Sequence, residues 1–292
     1  MRNAFARHRY VLAAGAVFIL LFGAIADLLV GSPGDAAMLF AASAASAIAL
    51  MLLWPNTALR PRFDKHLPAA WDKRLVAFAL FAFGSAAVFA KIAEDVVKHE
   101  SPGLDRAVSL WVHSFDSPAL DTIMLGLSYV GSFPVTSCVA ALVLIWCWRS
   151  RDFAAFAGLL GVIAIDENLN HILKDIFDRP RPTLFEEIAT LHSYSFPSGH
   201  AMAAVANYGM IAAVVGRLAP PLRGWVNWGV AILALLIGLS RIYLGAHWVT
   251  DVFAGYAAGT AILFTGILWL EAYPPTRTAG SPPARQRSSS GS

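Results

Sequence analysis

The apolar residues of this chain fall in long runs, unlike the alternation of a sheet or the one-sided stripes of a soluble helix bundle. Crossing a bilayer core takes about 20 mostly apolar residues in a helix. Eight runs meet that rule: 10–31, 36–54, 74–93, 119–147, 153–173, 200–217, 224–244 and 248–270. The fourth contains Gly126, Gly131 and Pro134, which predicts a kink or an interfacial start. The first has no convincing small-residue cleavage site and is read as a retained helix rather than a removed signal peptide. The expected fold class is therefore all-α, a polytopic membrane helix bundle.

Polar stretches divide the runs. Residues 55–73 form a basic, proline-containing loop. It separates an N-terminal two-helix extension (1–73) from a six-helix core (74–272). The tail, 273–292, is rich in Pro, Ser, Gly and Arg and is expected to be a disordered cytoplasmic segment. Within 94–118, Asp105, Val108, Trp111 and Val112 recur at helical spacing, which predicts an interfacial amphipathic helix with Trp111 at headgroup level. Segment 175–199 has too many prolines and acids to span and is expected to be a structured loop.

Composition sharpens this picture. The chain is 57% hydrophobic and only 14% charged, against about 25% charged in a soluble domain. With both termini inside, the inner segments hold fifteen of the 22 cations: Arg2, Arg7, Arg9, Arg60, Arg62, Lys65, Lys73, Arg74, Arg149, Arg151, Arg217, Arg223, Arg277, Arg285 and Arg287. The positive-inside rule then places N- and C-termini in the cytoplasm. The net charge of +3 reflects that bias, and no basic stripe interleaved with aromatics points to nucleic acid. Cys138 and Cys147 share one apolar run without metal-like spacing and read as inert core residues.

The candidate chemistry sits in three pieces, all on the outer side of this topology. In the last, His247 and Asp251 are four residues apart, on one face of a helix. A carboxylate there can fix the imidazole tautomer and leave the other nitrogen free to attack. Arg241, across a turn marked by Gly245, can grip phosphate oxygens in a fork. In the second piece, Pro197-Ser198-Gly199-His200 opens an apolar helix. Alone it reads as an ordinary helix cap; beside the other two pieces it becomes an anion site, with Gly199 admitting close backbone approach and His200 able to protonate a leaving oxygen. In the first, Lys174 ends a helix and Arg181 follows between Pro180 and Pro182. These cations can be helix-end anchors or a clamp on phosphoryl oxygens. Arg179 is expected to pair with Asp175 or Asp178.

Lys174 with Arg181-Pro182, then Pro197 to His200, then Ser240-Arg241, His247 and Asp251 keep the order and internal spacings of K-x6-RP, PSGH and SR-x5-H-x3-D. Residues 74–270 thus resemble the type 2 phosphatidic acid phosphatase (PAP2) superfamily. The resemblance implies a six-helix catalytic core and a lipid phosphatase in which His247 forms a phosphohistidine. Asp251 would then orient His247, and His200 would protonate the leaving group. Lys174, Arg181, Ser198, Gly199 and Arg241 would hold the phosphoryl oxygens, with no metal and no cofactor. A metal reading of His171, His200, His247 and Asp251 is the weaker alternative, since no known zinc spacing is present. The two N-terminal helices are not explained by the resemblance.

Asp166 and Glu167 lie in the fifth span, where ionisable residues face protein or a cavity. Glu167, His171 and Lys174 share a face, so Asp166 or Glu167 is expected to position Lys174 or another site cation. The expected partner is a membrane lipid phosphate or diphosphate reached from the outer leaflet. Candidates are undecaprenyl diphosphate, phosphatidic acid, phosphatidylglycerol phosphate and a lipid A phosphate. The expected location is a bacterial inner membrane with a periplasmic site. Lipid phosphotransfer through the same phosphohistidine is the alternative. The similar anion pocket of vanadate-dependent haloperoxidases belongs to typically soluble proteins, and a non-catalytic lipid transporter or scaffold would not require both His200 and His247.

Overall fold

A computed structural model of the protein describes residues 73–185 and 193–273. The first two expected spans, most of the basic loop and the tail from residue 274 lie outside the described residues. Within them the fold is helical throughout, as the hydrophobic runs require. Its helices are α1 (Lys73–Val97), α2 (Pro102–His113), α3 (Pro118–Val130), α4 (Phe133–Arg149), α5 (Phe153–Phe177), α6 (Gly199–Leu218), α7 (Arg223–Tyr243) and α8 (Val249–Ala272), with a 3₁₀ turn at Pro220–Leu222. Among the described residues five helices are long and apolar enough to cross a membrane, and α3 with α4, bent by 49° at their junction, pass the same test as a pair.

That bend falls where the sequence interrupts the run. Gly131 ends α3, and Pro134 stands in the first turn of α4, where its missing N–H costs nothing. A side chain at Gly131 would collide with Ile237 Cγ2 at 2.5 Å. The break therefore lets α7 approach closely.

Helices α6 and α8 form the centre. In each, 61% of the apolar window is buried inside the protein, against 28% for α5 and 33% for α7. α1 packs along α8, while α7, α5 and α4 pack along α6. Lipid tails are as apolar as leucine, so helices in a membrane associate by close packing over small residues. Gly255 and Gly259, one turn apart, do this for α8. A Cβ at Gly255 would stand 2.6 Å from Ser198 O, and one at Gly259 2.5 Å from Met202 O. The backbones of α6 and α8 touch at both points.

The helix ends then fall at two levels. α5 ends, α6 begins, α7 ends and α8 begins at one end of the bundle. At the other end, Arg217 of α6 donates to both Asp152 oxygens (2.7 and 3.0 Å), to Leu270 O (2.8 Å) and to Tyr273 O (2.8 Å). Asp152 also caps α5 by accepting from Ala155 N.

Two boundaries refine the sequence reading. α5 runs to Phe177, one turn beyond 173, because its stop signal is Pro180: the residue before a proline disfavours helical geometry. The amphipathic helix forms over Pro102–His113, with Asp105, Ser109 and Val112 buried and Trp111 exposed.

Gly259→Ala should lower stability by about 1–3 kcal/mol through overpacking. Thermal unfolding in detergent reads this as a reduced midpoint. Gly161→Ala, with nothing within 4 Å of the added carbon, is the control expected to show no loss.

Candidate active site

Four helix ends and one loop bring the three sequence pieces together. The pivot is the turn from α7 to α8, where Ala246 N and His247 N both donate to Arg241 O (3.1 and 3.2 Å). Gly245 sits at φ +65, a conformation that favours glycine. This turn buries the imidazole of His247 to 2% exposure.

Around that ring the structure gathers the expected cations. Arg181 Nη1 stands 3.4 Å from His247 Nε2 and donates to Ala246 O (2.6 Å). Its Nε donates to Ser193 O at 2.7 Å. Lys174, in the last turn of α5, donates to Tyr194 O at 2.6 Å and contacts Ser193 Oγ at 3.4 Å. Arg241 is buried and donates through Nη1 to Ser128 Oγ of α3, while its Nε is buried without a partner. Burial, together with the charges of Arg241, Arg181 and Lys174, holds the His247 pKa well below its ordinary 6.5. The ring is therefore neutral at pH 7, the form that can attack.

On the ring's other side, His247 Nδ1 lies 3.4 Å from Asp251 Oδ2. The neutral ring makes no aligned hydrogen bond there. Asp251 is fully buried and heavily held: Trp248 N donates to Oδ2 (2.9 Å), and Arg179 Nη1 donates to Oδ1 (2.5 Å). Its backbone carbonyl accepts from Ser198 N at 3.0 Å, which locks the start of α6 to the start of α8.

Ser198 and His200 complete the cluster. Ser198 occupies the N-cap position of α6, yet its hydroxyl makes no capping bond; Oγ is buried and unpartnered. Gly199 is glycine because Asn170 of α5 fills the space of a side chain, with Oδ1 2.8 Å from a built Cβ. His200 is half-buried and lies in the field of His247, Arg241, Lys174 and Arg181. All eight residues of the expected catalytic and phosphate-binding set thus converge on one end of the bundle. Among the described residues, no group of three His, Cys, Asp or Glu side chains is placed to hold a metal ion.

Other expectations differ. Glu167 pairs with His171 (3.0 Å) on an exposed face, and Asp166 accepts from buried Asn207 Nδ2 at 2.8 Å. Neither reaches Lys174, which curls toward the 193–194 loop. Seven or eight helical residues also separate them by about 10–12 Å along the axis. Arg179 does not pair with Asp175 or Asp178 in this structure. It bridges Asp251 and Asp105, at 2.7 Å from Nη2 to Asp105 Oδ2, and also donates to Thr250 Oγ1 at 2.8 Å. Trp248 helps to orient it, with the guanidinium 5.8 Å from the indole ring and Nε1 donating to Pro180 O. Sequence reasoning missed Ser128, Thr250 and the role of Asp105. For Asp105 a signal existed, an acid on the face of α2 that carries Val108 and Val112.

Comparison with known proteins agrees with this geometry. A family model described as the PAP2 superfamily matches residues 155–274. Phosphatidylglycerophosphatase B of Bacillus subtilis is 32% identical over 165 residues, 55% of this chain and 80% of that protein. An undecaprenyl-diphosphatase of Sulfolobus acidocaldarius is 35% identical over 153 residues, 51% of this chain and 69% of that protein. The crystal structure of a transmembrane PAP2-type phosphatidylglycerolphosphate phosphatase from Bacillus subtilis superposes with a TM-score of 0.63 at 28% identity. It covers 68% of this chain and 99% of that one. With its signature residues assembled at one end of a matching helical bundle, this chain belongs to the PAP2 superfamily.

Proposed function

We propose that this protein is an integral membrane phosphatase that releases phosphate from a lipid phosphate or diphosphate through a phosphohistidine on His247. The observation that carries the proposal is the face around His247 Nε2. Arg181 Nη1 stands 3.4 Å from it, Lys174 and Arg241 add their positive charge at the ring, and the buried Ser198 Oγ and Arg241 Nε have hydrogen-bonding capacity left over. Burying donors unsatisfied costs about 1–3 kcal/mol each. A phosphoryl group would satisfy them and neutralise the cations together.

The steps follow from the partners. Nδ1 faces Asp251, so Nε2 attacks phosphorus and the P–O bond to the lipid breaks. The ring becomes cationic, and Asp251 stabilises it. His200, protonated once the bound phosphate supplies negative charge beside it, gives that proton to the leaving oxygen. The lysine and two arginines hold the equatorial oxygens as charge spreads onto them, which is the main catalytic demand in phosphoryl transfer. Water deprotonated by His200 then attacks the phosphohistidine, releasing phosphate and free His247.

The side of the membrane follows from charge. Arg149, Arg151, Arg217 and Arg223 flank the bundle end opposite the site. By the positive-inside rule that end is cytoplasmic, and the site faces outward, to the periplasm of a bacterial inner membrane. The similarity to a phosphatidylglycerophosphatase and an undecaprenyl-diphosphatase supports a lipid phosphate or diphosphate as the substrate.

Purified full-length protein in detergent should release phosphate from a panel of lipid phosphates and diphosphates, with EDTA present and no metal added. His247→Ala should reduce that rate by at least about 10³-fold, the scale seen when a covalent nucleophile is removed. EDTA-sensitive release, or release that persists in the variant, would sink the mechanism. Because attack needs the neutral ring and the folded His247 pKa is depressed, activity should be lost only as pH falls well below 6.5. A pH–kcat profile whose acid limb lies at or above 6.5 would contradict that assignment.

A further inference from the structure

Asp105 lies on α2, outside the three signature pieces. Its carboxylate is 1% exposed. It accepts from Arg179 Nη2 at 2.7 Å, Thr250 N at 3.0 Å and Thr250 Oγ1 at 2.9 Å, with Ser101 Oγ further off at 3.4 Å. Arg179 uses its other terminal nitrogen on Asp251. One guanidinium is therefore shared between two buried carboxylates, the one that faces His247 and one from a helix that carries no other site residue.

The charge balance gives this sharing a consequence. Attack by Nε2 makes the His247 ring cationic, and Asp251 is the carboxylate placed to stabilise it. Among the described residues, the charged or titratable groups facing the ring from the other elements are Lys174 of α5, Arg181 of the following loop, His200 of α6 and Arg241 of α7. None of them is an anion. Arg179 by itself would cancel the charge of Asp251, and the ring would meet a neutral pair amid cations. Asp105 supplies a second negative charge to Arg179. The Asp105–Arg179–Asp251 group then carries a net single negative charge toward the ring.

We propose that Asp105 is a positioning residue for phosphoryl transfer: it balances Arg179 and anchors Thr250, so that Asp251 acts on His247 as a net anion. The proposal rests on His247 being the nucleophile. It assigns to α2 a part in the reaction, beyond lying at the membrane surface. A docking role alone would not require charge, because an amide oxygen could accept from Thr250 N and Oγ1 equally well.

Asp105→Asn separates the two roles. It keeps an acceptor for Thr250 and removes the charge. The test uses the full chain in detergent and a lipid phosphate that the wild type hydrolyses, and it measures kcat, KM and the pH profile. We expect kcat to fall on the order of 10- to 100-fold, the scale of one uncompensated charge a few ångströms away in a partly screened interior. KM should change little. The acid limb should move to lower pH, because uncompensated Arg179 makes the imidazolium harder to form. Arg179→Gln should move the limb the opposite way, to higher pH, and in that background Asp105→Asn should cost much less. Equal cost in both backgrounds, or an acid limb that does not move, would show that Asp105 only docks α2 and would overturn the proposal. Should Asp105→Asn fail to fold, the Arg179→Gln profile decides by itself: an upward shift supports the charge balance, and no shift or a downward one refutes it. His247→Ala runs alongside. If it retains release, the nucleophile reading fails and this proposal falls with it; if it abolishes release, the Asp105 result stands alone.

Discussion

Three cations crowd one buried imidazole, and the protein has to hold them there against mutual repulsion and the cost of leaving water. It does so mainly with backbone carbonyl oxygens. Tyr194 O takes Lys174, Ser193 O and Ala246 O take Arg181, Ser193 Oγ lies within reach of both, and Arg241 donates to Ser128 Oγ. Carbonyls stabilise a cation by dipole without neutralising it. The carboxylates of this region, Asp251 and Asp105, are instead directed to Arg179, behind the ring.

Holding the cations this way makes the loop between α5 and α6 part of the site. Residues 193–195 are fixed from both sides: Ser195 N donates to Arg179 O and Ser195 Oγ to Pro180 O, while Ser193 and Tyr194 carry the cations. Phe196, fully buried, packs against Phe89 and Phe177 and anchors the strip in the apolar core. The polar site is thus seated directly on a hydrophobic cluster reaching across α1, α2, α7 and α8.

Much of this was legible in sequence, and for a physical reason. Lys174 to Arg181 and Arg241 to Asp251 are local spacings, so helix and turn geometry alone bring them into register. The kink near Gly131 was legible for the same reason. Partners chosen by tertiary packing were not. Ser128 meets Arg241 across 113 residues, and Asp105 meets Thr250 across 145. No periodicity encodes either pairing. Helical spacing did suggest a link from Glu167 to Lys174, but a long flexible lysine near a helix terminus found a loop carbonyl instead of a side chain two turns below. The helix over 102–113 was legible as amphipathic, yet its polar residue Asp105 is on the buried side, because a buried carboxylate with a guanidinium partner can sit where an apolar residue otherwise would.

Gly255 shows how closely scaffold and site are joined. Its missing side chain lets α8 rest on the carbonyl of Ser198, whose own N–H donates to Asp251 O and fixes the start of α6 beside Asp251. The contact that holds two membrane helices together is also the spacer within the site. Selection for a durable bundle and selection for turnover therefore act on the same few atoms.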